Sequence, residues 1–342
     1  MVMKAEEILK RLSQFPQAAL GHYPTPLERW GRLESYLGWK GAIYAKREDL
    51  TGLAFGGNKV RQLEFHLGEA LARGADVIVH GAAVQSNYCR LLAAAANKVG
   101  LECHLVLSRA YGQPEDQGNI LLDRIAGVTI ELIDEPLGPR QEAYKRCVVD
   151  RLAAAGRRPF LISYPESEIL GSLSYVKVAV ELFEQCRQIP KFPRFMIMAA
   201  TGATQAGLLL GSRLLGWQVE IMGIAPVNHN EFPILQTLSD SIAEAAKRLG
   251  VSPGVLPKEI QNLDDYVGQG YGKVTPAAVN AIKVLARTEG VFLDPLYSGR
   301  AMAALLDLIR CDRIPAGEDL LFIHTGGNTA LFAYHKEILG YL

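Results

Sequence analysis

The feature that most constrains this chain is its rhythm. Short apolar runs rich in β-branched residues recur along it, and a longer segment of helical period follows almost every one. Strands are predicted at 42–45, 77–80, 104–107, 129–133, 160–163, 195–199, 220–224 and 320–324. Helices are predicted at 59–73, 86–98, 116–125, 139–155, 173–186, 206–215, 232–249, 276–288 and 299–309, and the charged first ten residues also have a helical pattern. Strands joined by helical crossovers lie parallel. The expected fold is therefore α/β, with mainly parallel twisted sheets flanked by helices on both faces. In such sheets ligands bind beyond the carboxyl ends of the strands, which narrows the search for chemistry to the loops that follow them.

A length of 342 residues suggests two domains at about 150 residues each. No repeat or long linker marks a boundary, and 187–194 is the most loop-like interior stretch. Apolar residues make up 49% and charged residues 21%, which excludes a disordered or collagen-like chain. Lys plus Arg and Asp plus Glu number 36 each, so no net charge draws the chain to nucleic acid or an anionic membrane. The five cysteines are scattered without a CxxC pair, and with no HExxH motif or cluster of ligands no metal is expected. The longest uncharged run, 195–212, carries Thr201, Gly202, Thr204, Gln205, Gly207, Gly211 and Ser212. It reads as a buried strand, a polar loop and a helix, not as a membrane span. With no apolar leader at its start, the chain is expected to be a soluble cytoplasmic protein.

Several loops carry chemical promise. Gly56-Gly-Asn-Lys59 precedes a predicted helix with Asn58 as its N-cap. Lys59 then lies in the first turn, where the helix dipole disfavours a cation by roughly 0.3–1 kcal/mol. The same field lowers the pKa of an amine, as a lysine that attacks a carbonyl requires. The plain alternative is a surface lysine beside Arg61. Thr201-Gly-Ala-Thr-Gln205 links an apolar strand to a helix and offers backbone N–H groups and hydroxyls to a phosphate, or is simply a tight turn. It is neither a Walker A loop nor GxGxxG, which disfavours a nicotinamide dehydrogenase. In Gln85-Ser86-Asn87, Ser86 or Asn87 caps a helix whose start also suits a substrate carboxylate. Tyr271, between two glycines, and Tyr297, in the turn after Asp294, are candidates for a cleft. His324-Thr-Gly-Gly-Asn328 closes the last strand, with His324 read as structural and the glycine pair fitting close packing against a flat ring.

Taken in order, these strings resemble the pyridoxal 5′-phosphate (PLP) enzymes of fold type II, in the group of D-cysteine desulfhydrase, 1-aminocyclopropane-1-carboxylate (ACC) deaminase and L-cysteate sulfo-lyase. The matching segments are Pro24-Thr-Pro-Leu27, Lys46-Arg-Glu-Asp-Leu-Thr-Gly52, Gly56-Gly-Asn-Lys-Val-Arg61, Gln85-Ser-Asn87, Thr201-Gly-Ala-Thr-Gln-Ala-Gly207, Gly270-Tyr-Gly272, Asp294-Pro-Leu-Tyr297 and His324-Thr-Gly-Gly327. The resemblance implies a tryptophan synthase β-like fold with a larger PLP-binding domain, 1–59 plus 165–342, and a smaller inserted domain, 60–164. It implies that Lys59 bonds the cofactor covalently, that Asn87 meets its ring hydroxyl, and that Thr325 meets its ring nitrogen. Thr201, Gly202, Ala203, Thr204 and Gln205 would hold its phosphate. Ser86 would hold the substrate carboxylate, with Asn87, Tyr88, Tyr164, Tyr271 and Tyr297 on the substrate side. Either Lys59 or Tyr297 would move the Cα proton.

The implied activity is β-elimination and deamination of a small amino acid, nominally D-cysteine to pyruvate, sulfide and ammonia, by a homodimer. ACC deamination and L-cysteate desulfonation are alternatives within the class, and a PLP-binding protein without lyase activity is the alternative outside it. Ser298 and Thr325 stand where ACC deaminases carry Glu and Leu, which favours elimination over ring opening. A hydroxyl on the ring nitrogen gives a weaker electron sink than a carboxylate, which suits a reaction relieved quickly by a departing group. Two departures fall near the substrate: Tyr88 replaces a usual His or Gln, and a usually glycine-rich Ser-Asn loop reads Tyr164-Pro-Glu-Ser-Glu168. The added carboxylates are expected to disfavour an anionic leaving group if they face it.

Overall fold

The computed structural model describes residues 2–255 and 257–342. The chain runs through α1 (Ala5–Leu12), β1 (Leu27–Arg29), α2 (Gly31–Leu37), β2 (Ile43–Lys46), α3 (Lys59–Ala72), β3 (Val77–Ala83), α4 (Asn87–Val99), β4 (Glu102–Ser108) and α5 (Asn119–Ile125). It continues with β5 (Thr129–Ile133), α6 (Pro139–Ala154), β6 (Pro159–Leu161), α7 (Glu166–Cys186), β7 (Phe195–Ala199), α8 (Ala203–Leu214), β8 (Glu220–Ile224) and α9 (Ile234–Leu249). Last come β9 (Gln261–Leu263), α10 (Pro276–Glu289), α11 (Ser298–Arg310), β10 (Leu320–Ile323), α12 (Ala330–Ala333) and α13 (His335–Leu339).

These strands make two sheets, six-stranded in the order β1-β2-β10-β7-β8-β9 and four-stranded in the order β5-β4-β3-β6. β1 pairs antiparallel with β2, and the other ladders among the described residues are parallel. The mixture of apolar residues in β7 explains why helices cover both faces of the larger sheet. Met196 and Met198 pack with α1, α7, α8 and α9 on one face, while Phe195, Ile197 and Ala199 pack with α2, α10 and α11 on the other. A strand buried on both sides reads as a continuous apolar run because its side chains alternate between two cores. In the smaller sheet Ile78, Leu105 and Leu107 face α3 and α4, and Val79 and Val106 face α6.

The α/β architecture with parallel sheets and flanking helices is therefore the observed one. Boundaries differ in informative places. β3 extends to Ala83, and β6 ends at Leu161 instead of 163. α8 begins at Ala203 and not at 206, so most of the small-residue loop is helix. α7 begins at Glu166 and not at 173, which makes Glu166, Ser167 and Glu168 its first turn instead of a loop. Acidic residues suit that position, since the helix dipole stabilises negative charge there. The three-residue strands β1 and β9 and the short helices α2, α12 and α13 were not anticipated.

The parallel register puts the carboxyl ends of β2, β10 and β7 side by side on one edge of the larger sheet: Lys46 pairs with Ile323, and Ile323 with Met198. The loops leaving that edge lead to Lys59, Thr325 and the start of α8. In the smaller sheet β3 runs out into Gln85-Ser86-Asn87, and β6 into Tyr164 and α7.

A buried ionic network fixes these loops to the scaffold. Arg61, on α3, binds Glu48 at 2.7 and 2.8 Å and Glu181, on α7, at 2.8 and 2.9 Å. Lys46 binds the same Glu181 at 2.5 Å together with the Thr25 carbonyl at 2.7 Å. Glu48 also accepts from Thr25 and Tyr175. Arg61 is only 3% exposed, so it lies in the core and not on a surface beside Lys59. The charged strings at 46–52 and 56–61 thus join β2, α3 and α7 into one unit.

Candidate functional site

Lys59 is the first residue of α3 and is half-buried. Its amine is lowered from the ordinary lysine value chiefly by burial, with Glu168 pulling the other way. Burial is thus the dominant cause, where the sequence pointed to the helix dipole. The Asn58 side chain makes no cap bond. It donates instead to Thr204 Oγ1 at 2.9 Å, tying the lysine loop to α8. The Asn58 backbone N–H donates to Thr325 O at 3.0 Å, which brings the β10 loop to the same point. The segment before Lys59 holds Ala54 and Phe55 at positive φ, a costly conformation for residues with a Cβ. Arg90, buried on α4, holds it by donating to Ala54 O and Gly56 O.

The N-terminus of α8 carries an anion. Ala203 N–H donates to Glu168 Oε2 at 2.5 Å across the 35 residues that separate them. The first backbone N–H groups of a helix have no partner within it, so they suit a carboxylate or a phosphate. Gly202 makes the room, since a Cβ there would lie 2.0 Å from Glu168 Oε2. A glycine-lined cradle that already holds a carboxylate has the donor set a phosphate needs. Thr201 and Gly202 precede this turn and Thr204 lies in it. Gln205 has its side chain elsewhere: its Nε2 donates to Gln261 O at 2.6 Å and its Oε1 accepts from Asn262 at 2.8 Å, joining α8 to β9. Glu166 also faces away, paired with Arg248 of α9 at 2.7 and 2.9 Å.

Ser86 caps α4, its Oγ accepting from Cys89 N at 3.2 Å, which leaves its O–H free to donate at the helix start. The Asn87 amide is oriented by a residue that sequence reasoning missed. Asn119 Nδ2 donates to Asn87 Oδ1 at 2.9 Å and to Gln85 O at 2.8 Å, while Thr329 donates to Asn119 Oδ1 at 2.7 Å. With its oxygen occupied, Asn87 turns its NH₂ toward Gly327. Gly326 and Gly327 have φ of +87° and +94°. A Cβ on Gly326 would lie 2.6 Å from Gly57 Cα, and one on Gly327 would lie 2.9 Å from Asn87 Nδ2 and Asp294 Oδ2. The glycine pair thus brings protein segments together, in addition to the ring contact expected for it. His324 is a satisfied structural histidine: its Nε2–H donates to Phe292 O at 2.9 Å and its Nδ1 accepts from Gly326 N at 3.2 Å.

Two of the candidate tyrosines meet. The phenols of Tyr271 and Tyr297 lie 2.8 Å apart. Asp294, wholly buried, builds the turn that aims Tyr297 by accepting from the N–H groups of Leu296, Tyr297 and Ser298. Burial, and then the neighbouring phenol, raise Tyr297 well above the ordinary phenol value. Tyr88 packs on His80 and donates to His66 Nδ1 at 2.6 Å; the direction follows because His66 Nε2–H is given to Ser167 O at 3.0 Å. Tyr164 is turned onto α9, its phenol bonded to Thr237 and its ring edge-on to Phe232.

A lysine amine, a helix start built for an anion, and a hydroxyl and an amide on glycine-rich loops define a site for a phosphorylated carbonyl cofactor. The chain belongs to the pyridoxal-phosphate dependent enzyme family, whose model matches residues 18–326. It is 38% identical to D-cysteine desulfhydrase of Salmonella choleraesuis (strain SC-B67), with 96% of this chain and 99% of that protein covered, and 37% identical to D-cysteine desulfhydrase of Salmonella typhi over the same shares. A crystal structure described as the ACC deaminase homologue superposes with a TM-score of 0.89 at 36% identity, covering 98% of this chain and 99% of that one. A fungal L-serine ammonia-lyase from Rhizomucor miehei shares the fold, with a TM-score of 0.66 at 18% identity over 94% of this chain and 99% of its own. Among the described residues no helix is long and apolar enough to cross a membrane.

Proposed function

We propose that this protein is a PLP-dependent carbon–sulfur lyase that converts D-cysteine to pyruvate, sulfide and ammonia. The observation that carries the reading is the meeting of Lys59, the α8 N-terminus and Thr325 at the carboxyl ends of adjacent parallel strands. Lys59 would hold the cofactor, the first turn of α8 its phosphate, Asn87 its ring hydroxyl and Thr325 its ring nitrogen. Bound there, PLP supplies an aldehyde for the substrate amine and a ring that accepts electrons from Cα.

The protein's own groups divide the remaining work. The Ser86 hydroxyl and the start of α4 bind the substrate carboxylate. An amine lowered by burial releases a proton more readily than an ordinary lysine, whereas a phenol raised by burial holds its proton more tightly. Lys59 therefore takes the Cα proton, and Tyr297, hydrogen-bonded to Tyr271, serves as donor toward the substrate. Ser298 gives its hydroxyl to Asp294 Oδ2 at 2.6 Å and is wholly buried. It is thus a turn-building residue here, which supports elimination over the ring opening of ACC.

The division 1–59 plus 165–342 and 60–164 belongs to this reading. Its support is that the strands between 77 and 161 pair with one another while the earlier and later ones share the other sheet. A cytoplasmic homodimer also belongs to it, with light scattering of the purified protein as the test of assembly. Borohydride reduction and peptide mapping should label Lys59. Assays of D-cysteine, ACC and L-cysteate, read as 2-oxo acid formed, should rank D-cysteine first. An unlabelled Lys59 in folded, PLP-supplied protein overturns the site. A labelled Lys59 with no turnover of any of the three leaves a PLP-binding protein without this lyase activity.

A further inference from the structure

Glu168 is the carboxylate that reaches the first N–H of α8 at 2.5 Å. Its neighbour Glu166 lies in the same turn of α7 yet is engaged with Arg248. Glu168 is thus the acid of that turn committed to the cofactor side. It also lies close enough to Lys59 and Tyr88 to act on both electrostatically. The position it takes is one a phosphate on α8 would use: the Ala203 N–H, the helix start, and the space left by Gly202. A phosphate monoester carries about −1.5 to −2 charge at pH 7, and two anions cannot share one set of donors without strong repulsion.

We infer that Glu168 is an internal counter-anion of the α8 N-terminus which a phosphate must displace, so that this one side chain sets how tightly the protein holds PLP. The inference rests on the reading that PLP binds with its phosphate on α8. While Glu168 holds the helix start, the fraction of molecules open to phosphate is reduced, and apparent affinity falls by that fraction. Removing the charge removes the competition and the repulsion together. Only ligands that carry a phosphate feel either effect, which separates this role from a purely structural one.

The test compares wild type with Glu168→Gln, an isosteric change that preserves packing, and with Glu168→Ala, which also removes the acceptor. Protein stripped of cofactor is titrated with PLP, with pyridoxal lacking the phosphate, and with inorganic phosphate, read by absorbance, fluorescence and thermal midpoint. E168Q should bind PLP about tenfold tighter, equivalent to roughly 1.4 kcal/mol. Inorganic phosphate should raise its midpoint more than that of wild type, and pyridoxal affinity should change less than about twofold. Equal tightening toward PLP and pyridoxal, no change, or weaker PLP binding in both variants would overturn the inference while leaving the lyase reading intact. Failure of wild type and both variants to bind PLP at all would remove both.

Discussion

Replacing Glu48 by Gln should cost far more than a typical surface change, because it unbalances a buried set of four charges. Arg61 and Glu48 are 3% and 0% exposed, and Glu48 accepts two bonds from Arg61. Gln keeps the shape but leaves Arg61 and Lys46 sharing Glu181 alone. Breaking a buried pair by removing one partner typically costs about 3–5 kcal/mol. At about 2.1 cal/mol/K of unfolding entropy per residue, a loss of about 4 kcal/mol over 342 residues lowers Tm by about 5–6 °C. Arg61→Met should cost a similar amount, since it strands Glu48 and removes the cation over the Tyr23 ring. The double variant should lose clearly less than the two single losses together, because each change has already deprived the other group of its partner. Burial works to raise the Glu48 carboxyl, but the charge and hydrogen bonds of Arg61, with Lys46 and Thr25, outweigh it and hold the group low. A depressed folded value means that this stabilisation is present above the unfolded carboxylate range and is lost as pH falls through the folded one, so E48Q should flatten the acid limb below about pH 4. Scanning calorimetry of the PLP-loaded protein measures all three variants. Additivity within about 0.5 kcal/mol, or a Tm for E48Q within about 1 °C of wild type, would refute the reasoning.

Gly327→Ala should destabilise by about 1–3 kcal/mol, because φ is +94° and the new methyl would meet Asn87 and Asp294; thermal unfolding and PLP titration should both register it. Asn119→Ala strips two buried acceptors of their donor and should cost about 1–3 kcal/mol, with weaker PLP binding because the Asn87 amide is released to rotate. His66 is held neutral by burial, down to about 4. The unfolded chain therefore binds that proton first, and stability should fall as pH drops from about 6.5 to about 4 by up to about 3 kcal/mol. His66→Phe should lose that component of the pH profile while destabilising the protein at neutral pH through the unpaired Tyr88 phenol, as denaturant unfolding at several pH values would show.

The parts of the fold visible in the sequence are those in which local pattern and tertiary role coincide. β7 is a continuous apolar run because both faces are covered, and the helix of Ser86 is opened by a residue that caps it. Strands of three residues, such as β1 and β9, have no period to detect and exist through their partners. The start of α7 is legible in the sequence: Pro165 followed by Glu166 and Glu168 is a helix-start pattern, although the resemblance to a glycine-rich loop points the other way. Asn119 carries no such signal. Its bonds to Asn87 and Thr329 span 32 and 210 residues, and only the fold brings them together. The role of Glu168 was hidden for the same reason, since the α8 donor it reaches lies in another sheet's crossover.

The two sheets also explain where this chain departs from the family it belongs to. The loops leaving β2, β10 and β7 of the larger sheet carry Lys59, Thr325 and the start of α8, and there the sequence follows the family pattern. The loops leaving β3 and β6 of the smaller sheet lead to Tyr88 and the Tyr164–Glu168 stretch, the two departures from the resembling pattern. The proposed cofactor site draws on both sheets, with Lys59, Thr325 and the start of α8 following strands of the larger one and Asn87 following β3 of the smaller. Glu168 also links the two sheets. It begins after a strand of the smaller sheet and ends on a helix of the larger one, so under the proposed reading a substitution there would act on the hold on the cofactor's phosphate. A change selected for substrate at this position would alter cofactor retention as well, and the two effects can be told apart only with ligands that differ in the phosphate alone.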